Sequence, residues 1–176
     1  MLAEILAAAG FKVLVIDLDS QGNATEMLTG EDIYEYSGKT ILEALKEMDP
    51  EPYLVTIKDG LDLLPAEDLL VTFSRYIYTH NVQGKIKVLR NTIEMIEDRY
   101  DYIFMDCAPN LGDLTLNALA YANYFISPVQ LGGFCLTALD RFMNFAEEAR
   151  AEGHTQAEPL GIVFTMKDRS RIEREI

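Results

Sequence analysis

The sequence predicts an α/β fold, a three-layer and mostly parallel twisted sheet with helices on both faces. Three observations carry that prediction. Apolar runs recur along the 176-residue chain, as strands buried on both faces require. Stretches with helical spacing separate them, as the crossovers between parallel strands require. The runs also end in polar loops bearing glycine or proline, where open parallel sheets hold their ligands.

The elements follow in order. "LAEILAAAG" is rich in helix formers over Leu2 to Ala9, and Gly10 sits where a C-terminal cap is expected. "KVLVIDLDSQGNAT" then carries the uninterrupted run Val13 to Ile16, a buried strand running into a polar loop. A weakly patterned region from Glu26 to Pro65 holds a short helix over Thr40 to Met48. "LVTIKDGLDLLPA" reads as two strand-like pieces around an Asp59-Gly60 turn. From Gly84 to Arg99, Ile86, Leu89, Ile93 and Ile96 stand near helical spacing, which predicts one amphipathic crossover helix. "YDYIFMD" is the next strand, followed by "CAPNLGD" and a helix around Leu114 to Ala122. "YFISPVQ" and "LGIVFTMKD" repeat the scheme, with a long helix over Thr137 to Ala151 between them.

With 49% apolar residues, the chain has material for one core, and no repeat or linker divides it, so a single domain over residues 1–176 is expected. The balance of 15 basic and 29 acidic residues, a net charge of −14, argues against a nucleic-acid surface over most of the fold. There is no signal peptide and no apolar run near the ~20 residues of a membrane span. The expectation is a cytoplasmic protein with free thiols at Cys107 and Cys135. His80 and His154 have no partner at zinc spacing and read as ordinary polar residues.

The chemistry concentrates at the strand ends. Asp17 and Asp19 are two apart and share one face if strand geometry persists. Carboxylates that close repel unless a cation or hydrogen-bond donors stand between them. Magnesium with a phosphate is the economical occupant, since it takes only one or two protein carboxylates and keeps waters. Asp106 ends the later strand and is placed as the Walker B aspartate of P-loop NTPases is. Each piece has a plainer reading: a helix cap or turn aspartate, turn glycines at Gly22, Gly112, Gly132 and Gly133, a small buried cysteine at Cys107. The joint occurrence of the endings favours a site. The only "GKT", Gly38-Lys39-Thr40, has Ile33 where a phosphate loop needs its first glycine and lacks a strand leading in. Ser37 and Thr40 belong instead to a helix start.

Taken together, "KVLVIDLDSQGNAT", "YDYIFMDCAPNLGDLTLNAL", "ISPVQ" and "GIVFTMKDR", in this order, resemble the ParA/Soj family of partitioning ATPases, relatives of MinD with a deviant Walker A loop. The resemblance runs over almost the whole chain. In the family, a first strand and a "KGGVGKTT"-type loop precede the helix matched here by "LAEILAAAG", and further helices follow the last motif. The resemblance therefore implies a P-loop NTPase-like domain lacking its first strand, phosphate loop and C-terminal helices. By the same resemblance Asp19 positions or activates the attacking water. Asp17 and Asp106 lie at the magnesium, Gln21, Gly22 and Asn23 form a switch-like loop, and Pro128, Val129 and Gln130 line the nucleotide side of a later strand. It implies ATP and magnesium as cofactors, bound weakly or not at all without the cradle. The partners implied are a second copy of the chain, or a strand-exchanged oligomer, a ParB-like protein, nonspecific DNA through the C-terminal part, and no membrane. Ser20 stands where the family usually has proline, and Ala108 and Asn110 replace a proline and a serine.

Two other readings stand beside this one. A non-catalytic dimerisation or partner-binding module could keep the sheet without its nucleotide. A phosphoacceptor receiver would use Asp17, Asp106 and Lys167, but the distance from Asp17 to Asp106 is too long for it. Loss of a first strand would expose a neighbouring strand's edge, so aggregation, strand exchange or dimerisation is expected.

Overall fold

The computed structural model describes residues 1–130 and 135–165. The described chain forms two compact units, Met1–Ala118 and a second beginning at Leu119.

In the first unit the opening helix, α1 (Leu2–Ala8), ends at Ala9. The Gly10 N–H then bonds the Ala7 carbonyl at 2.9 Å and the Phe11 N–H bonds that of Leu6 at 3.1 Å, so the expected glycine stop is present. β1 (Val13–Leu18) is buried at every position. It lies between β3 (Leu61–Leu64) and β4 (Tyr102–Cys107), parallel to both. β2 (Val55–Lys58) pairs antiparallel with β3, giving the order β2-β3-β1-β4. The Asp59-Gly60 turn joins β2 to β3 as expected. Gly60 has φ 75°, and a Cβ there would stand 2.9 Å from the Phe11 carbonyl oxygen, so the turn takes glycine for two reasons.

Helices cover both faces. Ala3 and Ala7 of α1 pack with Val13, Val15, Leu61 and Leu63 on one face. Alternation sends Leu14 and Ile16, both fully buried, to the other. There α3 (Ile41–Glu47) contributes Ile41, Leu42 and Leu45 to the core. Thr40 caps α3: its hydroxyl accepts from the Leu42 N–H at 3.2 Å, while Glu43 accepts from the Thr40 N–H at 3.2 Å. That reciprocal pair confirms Thr40 as a helix start. Ser37 does something else, donating to Glu67 at 2.9 Å.

Three sequence expectations need correction. The stretch from Asn23 to Thr29 is a helix, α2, rather than loop and weak pattern. A further helix, α4 (Phe73–Thr79), went unread because "FSRYIYT" is aromatic and β-branched; the burial of Phe73 and Ile77, one turn apart, holds it. The single crossover helix over 84–99 is instead a 3₁₀ turn, α5 (Val88–Ile93) and another 3₁₀ turn at Glu97–Arg99. Val88, Thr92, Ile93 and Ile96 are all β-branched, and the start at Lys87 has no side-chain cap, so local propensity does not carry a long helix. After β4, α6 (Asp113–Tyr121) begins one residue before its expected start.

The second unit holds β5 (Tyr124–Gln130) and β6 (Glu158–Thr165), paired in parallel. Between them in sequence runs α7 (Cys135–Ala151). Leu119, Ala146 and Ala157 form its core, with Phe125, Phe142 and Phe145 packed against them. Among the described residues, no helix is long and apolar enough to cross a membrane.

Candidate functional site at the strand ends

The parallel register of β1 and β4 sets Asp17 directly beside Asp106. Both stand at the carboxyl edge of the first unit's sheet. Asp17 is wholly buried and accepts three hydrogen bonds. Its Oδ2 takes the Thr25 N–H and the Thr25 hydroxyl, each at 2.8 Å, and its Oδ1 takes the Asp19 N–H at 3.1 Å. Burial holds the Asp17 carboxyl above the usual carboxylate range; the bonds from Thr25 and Asp19 oppose that and the charge of Asp106 adds to it.

The loop after β1 is tied by its own backbone. Asp19 Oδ1 accepts the Gln21 N–H at 3.0 Å, and the Asp19 carbonyl accepts the Gly22 N–H at 2.9 Å. Gly22 is the N-cap of α2 at φ 62°, and a Cβ there would come within 2.4 Å of Ile33 Cγ2. Only glycine fits both the conformation and the space. Asn23 opens the helix, so the expected loop of Gln21, Gly22 and Asn23 is shorter by its last residue.

Asp106 differs from Asp17. It lies on the exposed end of β4, and its carboxyl is held above the usual range by desolvation first and by Asp19 second. Asp19 is only part-buried. The charge of Asp19 thus reaches Asp106, and among the described residues neither carboxylate accepts as many hydrogen bonds as Asp17 does. Next along β4, burial and the charges of Asp106, Asp17 and Asp19 push the Cys107 thiol up to about 12, although the residue as a whole is exposed. A thiol so placed stays protonated at neutral pH and is no nucleophile.

Pro128, Val129 and Gln130 lie on β5 in the second unit, opposite Val163, Phe164 and Thr165. Val129 is buried there, while Pro128 and Gln130 are exposed. Gly132, Gly133 and Lys167 lie outside the described residues. Two residues escaped the sequence reading. Thr25 joins the Asp17 network, and its only sequence signal is a threonine in the first turn of an unpredicted helix. Glu67 is almost fully buried, with Oε2 on Ser37 and Oε1 without a hydrogen-bond partner among the described residues. Away from the strand ends, Lys46, Thr72, Arg75, Tyr76, Thr79 and His80 line a cleft of about 240 Å³.

Residues 1–158 match a protein family described as an AAA domain. Soj, the chromosome-partitioning ATPase of Treponema pallidum, is 32% identical over 180 residues, covering 99% of this chain and 68% of that protein. Soj of Thermus thermophilus is 36% identical over 95% of this chain and 62% of its own length. This chain belongs to the ParA/Soj family of partitioning ATPases. It spans roughly two thirds of its curated relatives' length, 63% for the ParA chromosome partitioning protein of Caulobacter vibrioides.

Solved structures of family-like proteins agree in fold. Cobyrinic acid a,c-diamide synthase from Mycobacterium smegmatis superposes with a TM-score of 0.87 at 27% identity, over 98% of this chain and 70% of that one. A plasmid partition protein from Borrelia burgdorferi gives 0.81 at 25%, over 99% and 73%. The synthase has also been solved with ADP and magnesium bound. The donor set here fits such an ion in one respect. Among the described residues, no three ligating side chains cluster into a protein-only metal cage, and magnesium needs none, since it takes one or two protein carboxylates and shares its shell with water and phosphate.

Proposed function

We propose that this chain is the sheet-bearing part of a ParA/Soj-like ATPase of plasmid or chromosome partitioning, a nucleotide-dependent dimer switch on DNA that a ParB-like partner stimulates. The observation that carries this reading is the pairing of Asp17 with Asp106 across parallel β1 and β4, with Asp19 in the loop beyond. Asp19 would orient and deprotonate the attacking water. Asp106 would hold magnesium, with Asp17 beside it, and the ion would offset phosphate charge. Pro128, Val129 and Gln130 would border the nucleotide. The 176 residues contain no glycine-rich loop ending in lysine, so the backbone N–H groups that cradle phosphates are not supplied by this sequence. Weak Mg-ATP binding by this chain alone follows.

A second reading, a dimerisation or partner-binding module, is favoured by β4. It is the end strand of the first unit's four-stranded sheet, yet its run Tyr102 to Met105 carries no charge, proline or bulge to blunt its edge. A parallel strand from another chain would complete it.

Calorimetric titration with Mg-ATP separates these readings, run on this chain and on a fusion that adds a relative's first strand and phosphate loop ahead of Met1. The ATPase reading expects tight binding only in the fusion, with Asp19→Ala abolishing hydrolysis while sparing binding. Undetectable binding in a folded fusion would overturn it.

A further inference from the structure

The three aspartates at the strand ends are not equivalent. Asp17 has no exposed surface, and three donors already occupy its two oxygens. Only one of the roughly four lone-pair sites of this carboxylate is left unfilled, and with no surface exposed a hydrated cation could reach it only by opening the loop that supplies the donors. The donors are also not incidental. The Thr25 hydroxyl donates to Asp17 and at the same time accepts the Ala66 N–H at 3.0 Å. Ala66 follows β3, so this one hydroxyl ties the end of β1 to the end of β3. Pro65, beside it, accepts the Ile41 N–H at 2.8 Å, and the Ala66 carbonyl closes over Gly22. The segment Pro65–Ala66 is therefore a floor on which the loop after β1 rests, and Asp17 with Thr25 is the clamp.

We infer that Asp17 is the anchor of the loop that presents Asp19, that Thr25 is its positioning partner, and that neither binds a metal ion. This deepens the ATPase reading by dividing the carboxylates: Asp106 and Asp19 face the ligand side, and Asp17 builds the loop from beneath. The family resemblance places Asp17 at the magnesium; a carboxylate wholly buried beneath three donors does not fit that place.

The test is amide hydrogen exchange followed by NMR, on the chain without nucleotide or metal, so its outcome does not depend on whether the chain binds ATP. Thr25→Val keeps the shape of the side chain and removes the hydroxyl. It is expected to speed exchange at Ala66 and at Asp19 about tenfold, since one buried hydrogen bond is worth roughly a decade in an opening equilibrium. Thr25→Ser, which restores the hydroxyl, should bring both amides back to within about twofold of the parent. Asp106→Asn should leave both amides as they are. In a separate arm, magnesium titrated into the chain should shift the carboxyl carbon of Asp106 and not that of Asp17. Unchanged protection in Thr25→Val, or a magnesium-induced shift at Asp17 as large as at Asp106, would overturn the inference. If Thr25→Val fails to fold while Thr25→Ser is native, the clamp is supported by that rescue, and the magnesium arm still decides the metal question.

Discussion

Asp17 and Asp106 are register partners on adjacent parallel strands, yet one is wholly buried under three hydrogen bonds and the other stands on an exposed strand end. Equal positions in the sheet have thus been given unequal environments, and environment decides chemistry. For the fusion carrying a phosphate loop, Asp106→Asn is expected to weaken magnesium-dependent ATP binding by about tenfold to a hundredfold while leaving the melting temperature near the parent's. Titration with ATP in magnesium and in EDTA checks this; equal losses in both would show that Asp106 does not act through the ion.

The same residue predicts a pH effect. Desolvation and Asp19 hold the Asp106 carboxyl above its ordinary value, so the folded state binds that proton more tightly than the unfolded chain does. Ionisation then costs stability: the contribution of this one group is greatest at low pH, falls as pH rises from the ordinary carboxylate range through the raised value, and is level above it. Asp106→Asn removes this decline, so its stability relative to the parent should improve between pH 4 and pH 7. Glu4 and Glu51, whose carboxyls are held low by the N-terminus and by Arg99, shift the opposite way but are common to both proteins and cancel. Urea unfolding at several pH values measures the difference; a difference that is flat or shrinks with pH would refute it.

Much of this architecture was legible in sequence where a single local rule governs. The run Val13 to Ile16 is buried on both faces and reads as such, and the Thr40 cap and the Asp59-Gly60 turn follow from side-chain and backbone chemistry confined to a few residues. The failures lie where tertiary contacts override local preference. α4 stands on Phe73 and Ile77 inserted into the core, against the propensity of its own residues, and the stretch 84–99 breaks because β-branched residues fill its apolar positions. At the site, a pair of aspartates two apart announces itself, but nothing in the spelling distinguishes the buried Asp17, beneath three donors, from the open Asp106. That difference is made by Thr25 and Ala66, eight and 49 positions away from Asp17.

The cap at Thr40 gives a calibrating case. Its hydroxyl accepts from the Leu42 N–H and donates to Glu43 at 2.7 Å, with the residue fully buried. Thr40→Ala is expected to cost about 1–2 kcal/mol, the upper part of the usual range for a lost cap because Glu43 also loses one of its donors, keeping the Thr40 N–H and Lys46. Denaturant unfolding reads this directly, and Thr40→Ser should recover most of the loss. A neutral Thr40→Ala would mean that water replaces the cap.

Cys107 supplies a chemical probe of the same edge. Its thiol is pushed up to about 12 by desolvation and by Asp106, Asp17 and Asp19. In a Cys135→Ser background, Cys107 should react with a disulfide reagent at pH 7.5 far more slowly than free cysteine, despite lying on an exposed strand end. Asp106→Asn should speed that reaction by removing the nearest charge. Reaction as fast as free cysteine in the parent would show that the carboxylates do not gather around this strand end.

Gly22 is the sharpest steric test of the loop. With φ at 62° and Ile33 Cγ2 2.4 Å from where a Cβ would sit, Gly22→Ala meets two separate penalties. The left-handed backbone costs an alanine about 1–2 kcal/mol, and the collision with Ile33 adds roughly 1–3 kcal/mol of overpacking. The two can be separated. Ile33→Ala alone should lose about 2–5 kcal/mol as a buried side chain is cut back. In the Gly22→Ala, Ile33→Ala pair the second change relieves the first, so the double variant should be more stable than the sum of the single losses predicts, leaving chiefly the backbone penalty. Strict additivity in that cycle would mean that the loop after β1 can lift away from Ile33, and that Asp19 is held less firmly than its contacts with Gln21 and Gly22 imply.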